Sequence, residues 1–560
     1  MYAEIVGLLS QTRFALVRTR FMWHLNELRS KENSPNVRPS IVSLIMGMKF
    51  FRVKMHPIED FVNFFTFLQE LGQYFLEVKE PEIKHVLSDL FVEILLPVAA
   101  VARQEVNIPA LKQFVELLYP TSLELAGKKK HVPALFPLVT CLLCVGTKSF
   151  FLTHWTNFLT ICLSQLKSRT PKVALVSLQS LSCLVWVYIV RIGGEKHLET
   201  QTKLHHIVNS LFPKNQKFVV PKDAPVNIFV RIIQFIAHEK LEFAIREIII
   251  DRLGVNGLQK NLYMPERMNI GLCAFLLIAH GLQQKEGAPP MPQPCLGAGG
   301  FRQAVIKRSF HGTNLNETLG HRLGIQNYLL PIRRAFELIL RQLDTQVCRT
   351  MMLSKLDVSQ KEFEELMSAE RKPKMDLLKT CVACIPRLLP NDMTKPELLE
   401  LLAKVCLHLD EDVRNMAQQA MANLIVELPA FRVKTIQVFI QFIQKNVPDT
   451  SPHQLDSSLK TLFHLLNNWN LALQKDGAVS PNITEKTALH ETEGFALVML
   501  CHCRTITRRL ALHILRKCRS LLSLINTATC DPNARQPREE LCCIDVLDQS
   551  VPAILERVLP

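Results

Sequence analysis

The sequence predicts an all-α fold in which helical pairs stack into a solenoid. Three observations lead there. Apolar residues recur at the 3.6-residue period of a helix through nearly every patterned segment, and almost none shows the sustained alternation of a strand. Gly is scarce at 20 of 560 residues, and the aromatics are mostly Phe, 30 against 6 Tyr and 4 Trp; packed helices suit that composition better than turn-rich β structure does. Two segments repeat one order of small and apolar residues, as stacked repeats do.

Along the chain, PIEDFVNFFTFLQELGQYFLEV opens at Pro57 and sets Phe61, Phe64, Phe65, Leu68, Leu71 and Phe75 on one face. Pro57 suits a first helical turn, and Glu59 and Asp60 complement the positive end of the helix dipole. The same grammar recurs in EPEIKHVLSDLFVEILLPVAAVA, NIPALKQFVELLYPTSLELA and NIFVRIIQFIAHEKLEFAIREIIIDRLG. LLELLAKVCLHLDEDVRNMAQQAMANLIVELP reads as a helix, a tight acidic turn and a second helix opened by Asp412-Val413-Arg414, with Asp412 as its cap. Val413, Ala417, Ala420 and Leu424 form the seam of that second helix, where small residues permit close approach. This pattern, spanning 398–426, resembles a HEAT repeat, and Val173, Ser177, Ser180 and Leu184 repeat its offsets. The fold class is therefore a HEAT/armadillo-like α-solenoid superhelix. Two loop insertions interrupt it. GAPPMPQPCLGAGG, at 287–300, holds four Pro and four Gly, a composition no helix interior accepts. The expected organisation is a solenoid over 1–285, a Pro/Gly-rich linker over 286–327, a second solenoid over 328–474, a polar loop over 475–492 and closing helices over 493–560.

Apolar residues make up 48% of the chain, enough to exclude wholesale disorder. The 16 Cys sit singly or in pairs within apolar stretches, as reduced core thiols do. The segment MYAEIVGLLSQTR carries Glu4 and no basic start, unlike a secretory signal, and the sequons at Asn316 and Asn482 would go unused. The apolar run between Lys172 and Arg191 reaches the length of a membrane span, but Ser177, Gln179, Ser180 and Ser182 make it a buried helix. The expectation is a soluble cytoplasmic chain with no membrane span.

Chemistry-bearing motifs are few. Cys141-Leu-Leu-Cys144 and Cys381-Val-Ala-Cys384 have zinc-ligand spacing, yet each lies within an apolar helix and is read as a pair of core thiols. Cys501-His502-Cys503 and His205-His206 are weaker still. No phosphate loop, nucleophile elbow or HExxH motif is present. The reading is of a non-enzyme with no cofactor, metal or catalytic residue. The basic features say more. The formal charge of +15 points to acidic partners. Gly494–Cys530 contains no Asp or Glu but carries Arg504, Arg508, Arg509, Arg516, Lys517 and Arg519. At 100° per residue all but Lys517 fall within about 140°, with Ile506, Leu510, Ile514, Cys518 and Leu521 facing away. Arg504, Arg508, Arg509, Arg516 and Arg519 are therefore the candidate partner-binding residues, and Lys128-Lys129-Lys130-His131 is a smaller basic cluster. Nucleic acid is the lesser candidate partner, since residues 504–521 hold no aromatic ring for base stacking.

The blocks SLIMGMKFFRVKMHPIEDF, DLFVEILLPVAA, LVTCLLCVGTKSFFLTHW, NIFVRIIQFIAHEKLEFAIREII, PERMNIGLCAFLLIAHGLQQKEGAPPMP and ERKPKMDLLKTCVACIPRLLP resemble the N-terminal region of Furry proteins. The resemblance runs from Tyr2 to about Val551 and weakens over about 295–327 and 475–490. It implies a very large HEAT/armadillo-like scaffold of which this chain is a fragment or short product. It also implies action with NDR-type kinases and their MOB co-activators, and with microtubules, in polarised growth, cell morphogenesis and neuron projection development. The implied location is the cytoplasm, with the cytoskeleton, spindle poles or sites of polarised growth. A nuclear, transcription- or nucleic-acid-associated scaffold is the alternative. Circular dichroism is expected to show a helical protein; strand content above about one fifth, the ordinary globular level, would overturn the fold.

Overall fold

The structure, a computed structural model, describes residues 2–31, 37–51, 58–101, 108–214, 216, 218–254, 264–292, 306, 308–348, 371–448, 450–476 and 483–527. Among these the regular structure is helical, with no β-strand. The chain forms two compact units, Met1–Leu253 with Cys273–Ile306, and Gly254–Leu272 with Lys307–Pro560.

In the first unit the helices are α1 (Tyr2–Thr12), α2 (Phe14–Arg29), α3 (Val37–Met48), α4 (Ile58–Glu77), α5 (Pro81–Val101), α6 (Pro109–Ala126), α7 (Val132–Val145), α8 (Lys148–Gln165), α9 (Pro171–Trp186), α10 (His197–Leu211) and α11 (Val226–Glu239). Alternate helices pack together: α3 on α5, α5 on α7, α7 on α9 and α9 on α11, with α4 on α6 in the second layer. That order is what a solenoid requires, because a helical pair cannot bury its flanks alone. Phe64, Phe65, Leu68, Leu71 and Phe75 of α4 are buried as the periodicity predicts; Pro57 lies outside the described residues. α7 touches α5, α6, α8 and α9, and every residue of it except Pro133 is buried. Its sequence, VPALFPLVTCLLCV, is apolar all round for that reason. Pro97, Pro120 and Pro137 stand inside α5, α6 and α7.

α9 runs on through a π-helical turn, Val187–Arg191. By length and composition Pro171–Arg191 could cross a membrane, but 83% of its most apolar window is buried. Ser177 donates to the Val173 carbonyl at 2.8 Å, so its hydroxyl is satisfied within the helix. Arg191, half-buried, donates to the carbonyls of Ala99 and Cys144 and lies 5.0 Å from the Trp186 ring. One guanidinium thereby closes the C-terminal ends of α5 and α7, where helix dipoles favour a cation. The described part of the Pro-rich segment lies along α9: the Pro289 carbonyl accepts from Trp186 Nε1 at 2.7 Å, and Met291 is buried.

α12 (Pro265–Gln284) is divided between the units after Leu272. The second unit continues with α13 (Glu317–Arg322), α14 (Gln326–Leu343), α15 (Lys372–Ala383), α16 (Lys395–Val405), α17 (Glu411–Glu427), α18 (Arg432–Asn446), α19 (Pro452–Asp476), α20 (Ile483–Leu500) and α21 (Thr505–Thr527). Here both layers are plain: α15, α17, α19 and α21 stack in one, α16, α18 and α20 in the other. The HEAT-like pair is α16 and α17. Val413, Ala417, Ala420 and Leu424 are all buried, and a capping box joins Thr394 to Glu397 at the start of α16.

Three details differ from the sequence reading. Asp410, not Asp412, caps α17, accepting from the Val413 N–H at 3.1 Å, while Asp412 pairs with Lys379 at 3.2 Å. A cap accepts from the N–H three residues on, and only Asp410 stands at that distance from Val413. The polar loop expected over 475–492 is shorter, since α19 reaches Asp476 and α20 begins at Ile483. Thr484, Thr487, His490 and Glu491 lie on the exposed face of α20, whose Ala488, Leu489 and Ala496 are buried. Within the expected linker, residues 293–305 and 307 lie outside the described residues. Asn314 and Leu315 bond to the Pro386 and Arg387 carbonyls, and Asn316 caps α13.

Asp410→Ala should lower stability by about 1 kcal/mol, the ordinary cost of a lost cap, in chemical denaturation of the full chain. Ala417→Leu should cost about 1–3 kcal/mol by overpacking the seam. Asp412→Ala, which removes only a surface pair, should change it by under about 1 kcal/mol.

Candidate functional site

The five arginines singled out by sequence surround the start and outer side of α21, and the structure sorts them into distinct environments. Thr507, Ala511, Ile514, Leu515, Cys518, Leu521 and Ile525 form its buried face. At 100° per residue, Arg504 and Arg508 fall at the edge of that face, whereas Arg509 and Arg516 fall roughly opposite it. Burial follows the geometry. Arg504 pairs with Asp456 of α19 at 2.9 Å, and the Thr507 hydroxyl donates to the same nearly buried carboxylate at 2.8 Å. Arg508 turns back and donates to the carbonyls of His502 and Cys503, both at 2.9 Å. Arg509 and Arg516 are exposed, and Lys517 and Arg519 are half-buried. Ile506, expected in the seam, is 48% exposed because the seam is centred one residue further on, at Thr507. Leu497 and Val498 near the end of α20 are also exposed. Arg509 and Arg516 thus stand out from α21 on the side away from its buried face, with Ile506 one turn before Arg509.

The turn before α21 repeats the turn before α17. In the earlier one, the Asp410 N–H donates to His408 Nδ1 at 3.0 Å, and Arg414 donates to the His408 and Leu409 carbonyls at 2.7 and 2.8 Å. In the later one, the Arg504 N–H donates to His502 Nδ1 at 3.1 Å, and Arg508 occupies the place of Arg414. A histidine with an arginine six residues on is the shared signal, legible in HLDEDVR and HCRTITR though not noticed from the sequence. Each turn is also tied to the preceding helix of its layer with opposite polarity. Lys379 of α15 meets Asp410 at 3.1 Å, and Asp456 of α19 meets Arg504.

The other sequence candidates fall in ordinary surroundings. Cys141 and Cys144 are buried in α7, and burial raises the Cys144 thiol to about 12. Cys381 and Cys384 are buried at the end of α15, Cys384 bonded to the Cys381 carbonyl. Cys501 and Cys503 are exposed. His205 packs edge-on to Phe243 and His206 is exposed. Lys128–Lys130 are exposed in the turn before α7, and His131 meets His85 at 2.8 Å, with burial lowering the pKa of both rings.

A family described as Cell morphogenesis N-terminal matches residues 1–470. The chain belongs to this family, the N-terminal domain of the Furry proteins. The family's match ends within α19, so α21 lies beyond it. The chain is 27% identical over 289 residues to the cell polarity protein mor2 of Schizosaccharomyces pombe, covering 51% of this chain and 13% of that protein. Against the cell morphogenesis protein PAG1 of Saccharomyces cerevisiae it is 27% identical over 201 residues, 36% of this chain and 8% of the relative. The chain therefore matches only a small part of the length of these relatives. Among solved structures, Kap121p bound to Nup53p covers 99% of this chain with 58% of its own, at 12% identity and a TM-score of 0.30. A Kap121p mutant covers 98% at 10% identity and the same TM-score. The solenoid assignment rests on the helix packing described above rather than on these overlaps.

Arg508→Ala should lower stability by about 1.5–3 kcal/mol, the range for hydrogen bonds made by a charged group, whereas Arg509→Ala should leave the melting temperature unchanged. His408 supplies a pH signature. Burial lowers its pKa to about 4, and its Nδ1 must stay unprotonated to accept from Asp410. The unfolded chain takes up that proton near pH 6.5. The contribution of His408 is therefore complete above about pH 6.5 and lost as pH falls through about 4. Denaturation from pH 7 to 4 should show a shallower loss of stability in His408→Asn than in the parent.

Proposed function

We propose that the chain is a non-enzymatic helical-repeat scaffold in cell morphogenesis. It acts with NDR-type kinases, their MOB co-activators and microtubules in polarised growth and neuron projection development, in the cytoplasm and at the cytoskeleton. Membership of the Cell morphogenesis N-terminal family supports the process. A relative named for cell polarity and another named for cell morphogenesis point the same way. The observation that carries the mechanism is the outer side of α21, where Arg509 and Arg516 are exposed and the exposed Ile506 lies one turn before Arg509. Arginine next to exposed apolar surface is a common composition for a protein-binding patch. A scaffold that holds two partners at once raises their effective concentration without new chemistry.

The test uses R509E/R516E in the full chain. Its melting temperature should match the parent, because both side chains stand away from the seam. Co-precipitation of an NDR-type kinase with its MOB partner, and co-sedimentation with microtubules, should each fall about tenfold. Parent binding should weaken from about 50 to 300 mM salt as the Debye length shrinks. Undiminished binding to both partners by the folded variant would remove α21 as the docking face.

A further inference from the structure

The outward stripe of α2 is a second candidate surface, independent of α21. At 100° per residue, Arg13, Leu16, Arg20, Trp23 and Glu27 fall within about 80°. Arg13 and Arg20 are exposed, Leu16 is 66% exposed and Trp23 54%. Leu9 of α1, 51% exposed, precedes Arg13 by one turn, and the Arg13 N–H bonds to its carbonyl. Arg20 lies over the Trp23 ring at 5.2 Å.

The arginines along this helix divide in a telling way. Arg18 pairs with Glu70 and Arg29 with Glu77, both acids on α4. Glu27 is taken by Lys31 at 3.2 Å. Arg13 and Arg20 have no ion-pair partner among the described residues. The fold supplies acids where α2 faces α4, and the acid of the outward stripe, Glu27, is held by Lys31 rather than by Arg13 or Arg20.

We propose that this stripe docks an acidic amphipathic helix of a protein partner. Its apolar residues would cover Leu9, Leu16 and Trp23, and carboxylates one turn to either side would meet Arg13 and Arg20. Helix-on-helix recognition reads anchors at i, i+3, i+4 and i+7, the spacing of Leu16, Arg20 and Trp23. Two other occupants fit less well. At a lipid interface, basic and apolar residues separate onto opposite faces of a helix, whereas here they alternate within one stripe. A second copy in a two-fold contact would offer two arginines only one carboxylate of the stripe, Glu27, which Lys31 already holds.

The experiment measures fluorescence anisotropy of a labelled helix-forming peptide of about three heptads, with Leu at a and d and Glu at e and g, titrated with the full chain. A control peptide carries Lys in place of Glu. The parent chain should bind the Glu peptide at least tenfold more tightly than the Lys peptide, and R13E/R20E should reverse that order. L16A/W23A should weaken Glu-peptide binding at least tenfold. Melting temperatures should be unchanged, since these side chains are exposed; if R13E/R20E melts early, R13Q/R20Q is held to the same tenfold loss. Three results would each overturn the proposal: no preference for the Glu peptide, parent-like binding by the folded variants, or stripe-dependent binding to phosphatidylserine vesicles or to a second copy in place of the peptide. None of these measurements involves α21, so its docking face stands or falls separately.

Discussion

A helix with apolar flanks on both sides can be buried only by neighbours in its own layer, and much of this molecule follows from that constraint. α7 is the clearest case. Its sequence has no polar face to show to water, so it is stable only with α5 and α9 beside it and α6 and α8 against it. Burying a Leu or Phe contributes on the order of 1.5–3 kcal/mol, and α7 buries several, but that gain exists only while the stack is intact. The same logic puts Ala417 and Ala420 in the seam of α17, where the neighbouring backbone must come close.

Stacking leaves a problem at each turn, where carbonyls point into the gap between helices. The chain meets it with arginine. Arg191 closes the ends of α5 and α7, and Arg414 and Arg508 each clasp the turn that precedes their own helix. A guanidinium suits this use because it stays charged and offers several N–H groups in a fixed fork. Formal charge is thus a poor guide to available charge. Arg504 and Arg508 are part of the repeat's internal wiring, whereas Arg509 and Arg516 are turned away from the seam and exposed.

The two-layer stacking is that of a helical-repeat array. The matched relatives are far longer than the region they share with this chain. A solenoid offers many turns and many outward faces, and its stability is close to a sum over neighbouring repeats. Docking surfaces can then change on one repeat without disturbing those further along. We propose the α21 face and the α2 stripe as two such surfaces, each built from residues on the outer side of its helix.

Most of the fold was legible in the sequence, because 3.6-residue periodicity and the order of small and apolar seam residues are local properties. They determined the helical class, the α16–α17 repeat, the buried run after Lys172 and the burial of Cys141, Cys144, Cys381 and Cys384. The candidate site was legible only as a list of arginines on one helix. Which of them remain available depended on the rotation of α21 against α19, set by packing of Thr507, Ala511 and Ile514, and on an acid 48 residues before Arg504, at Asp456. Helical periodicity fixes the angle between residues on one helix but not which angle meets the next helix; that choice belongs to the tertiary structure.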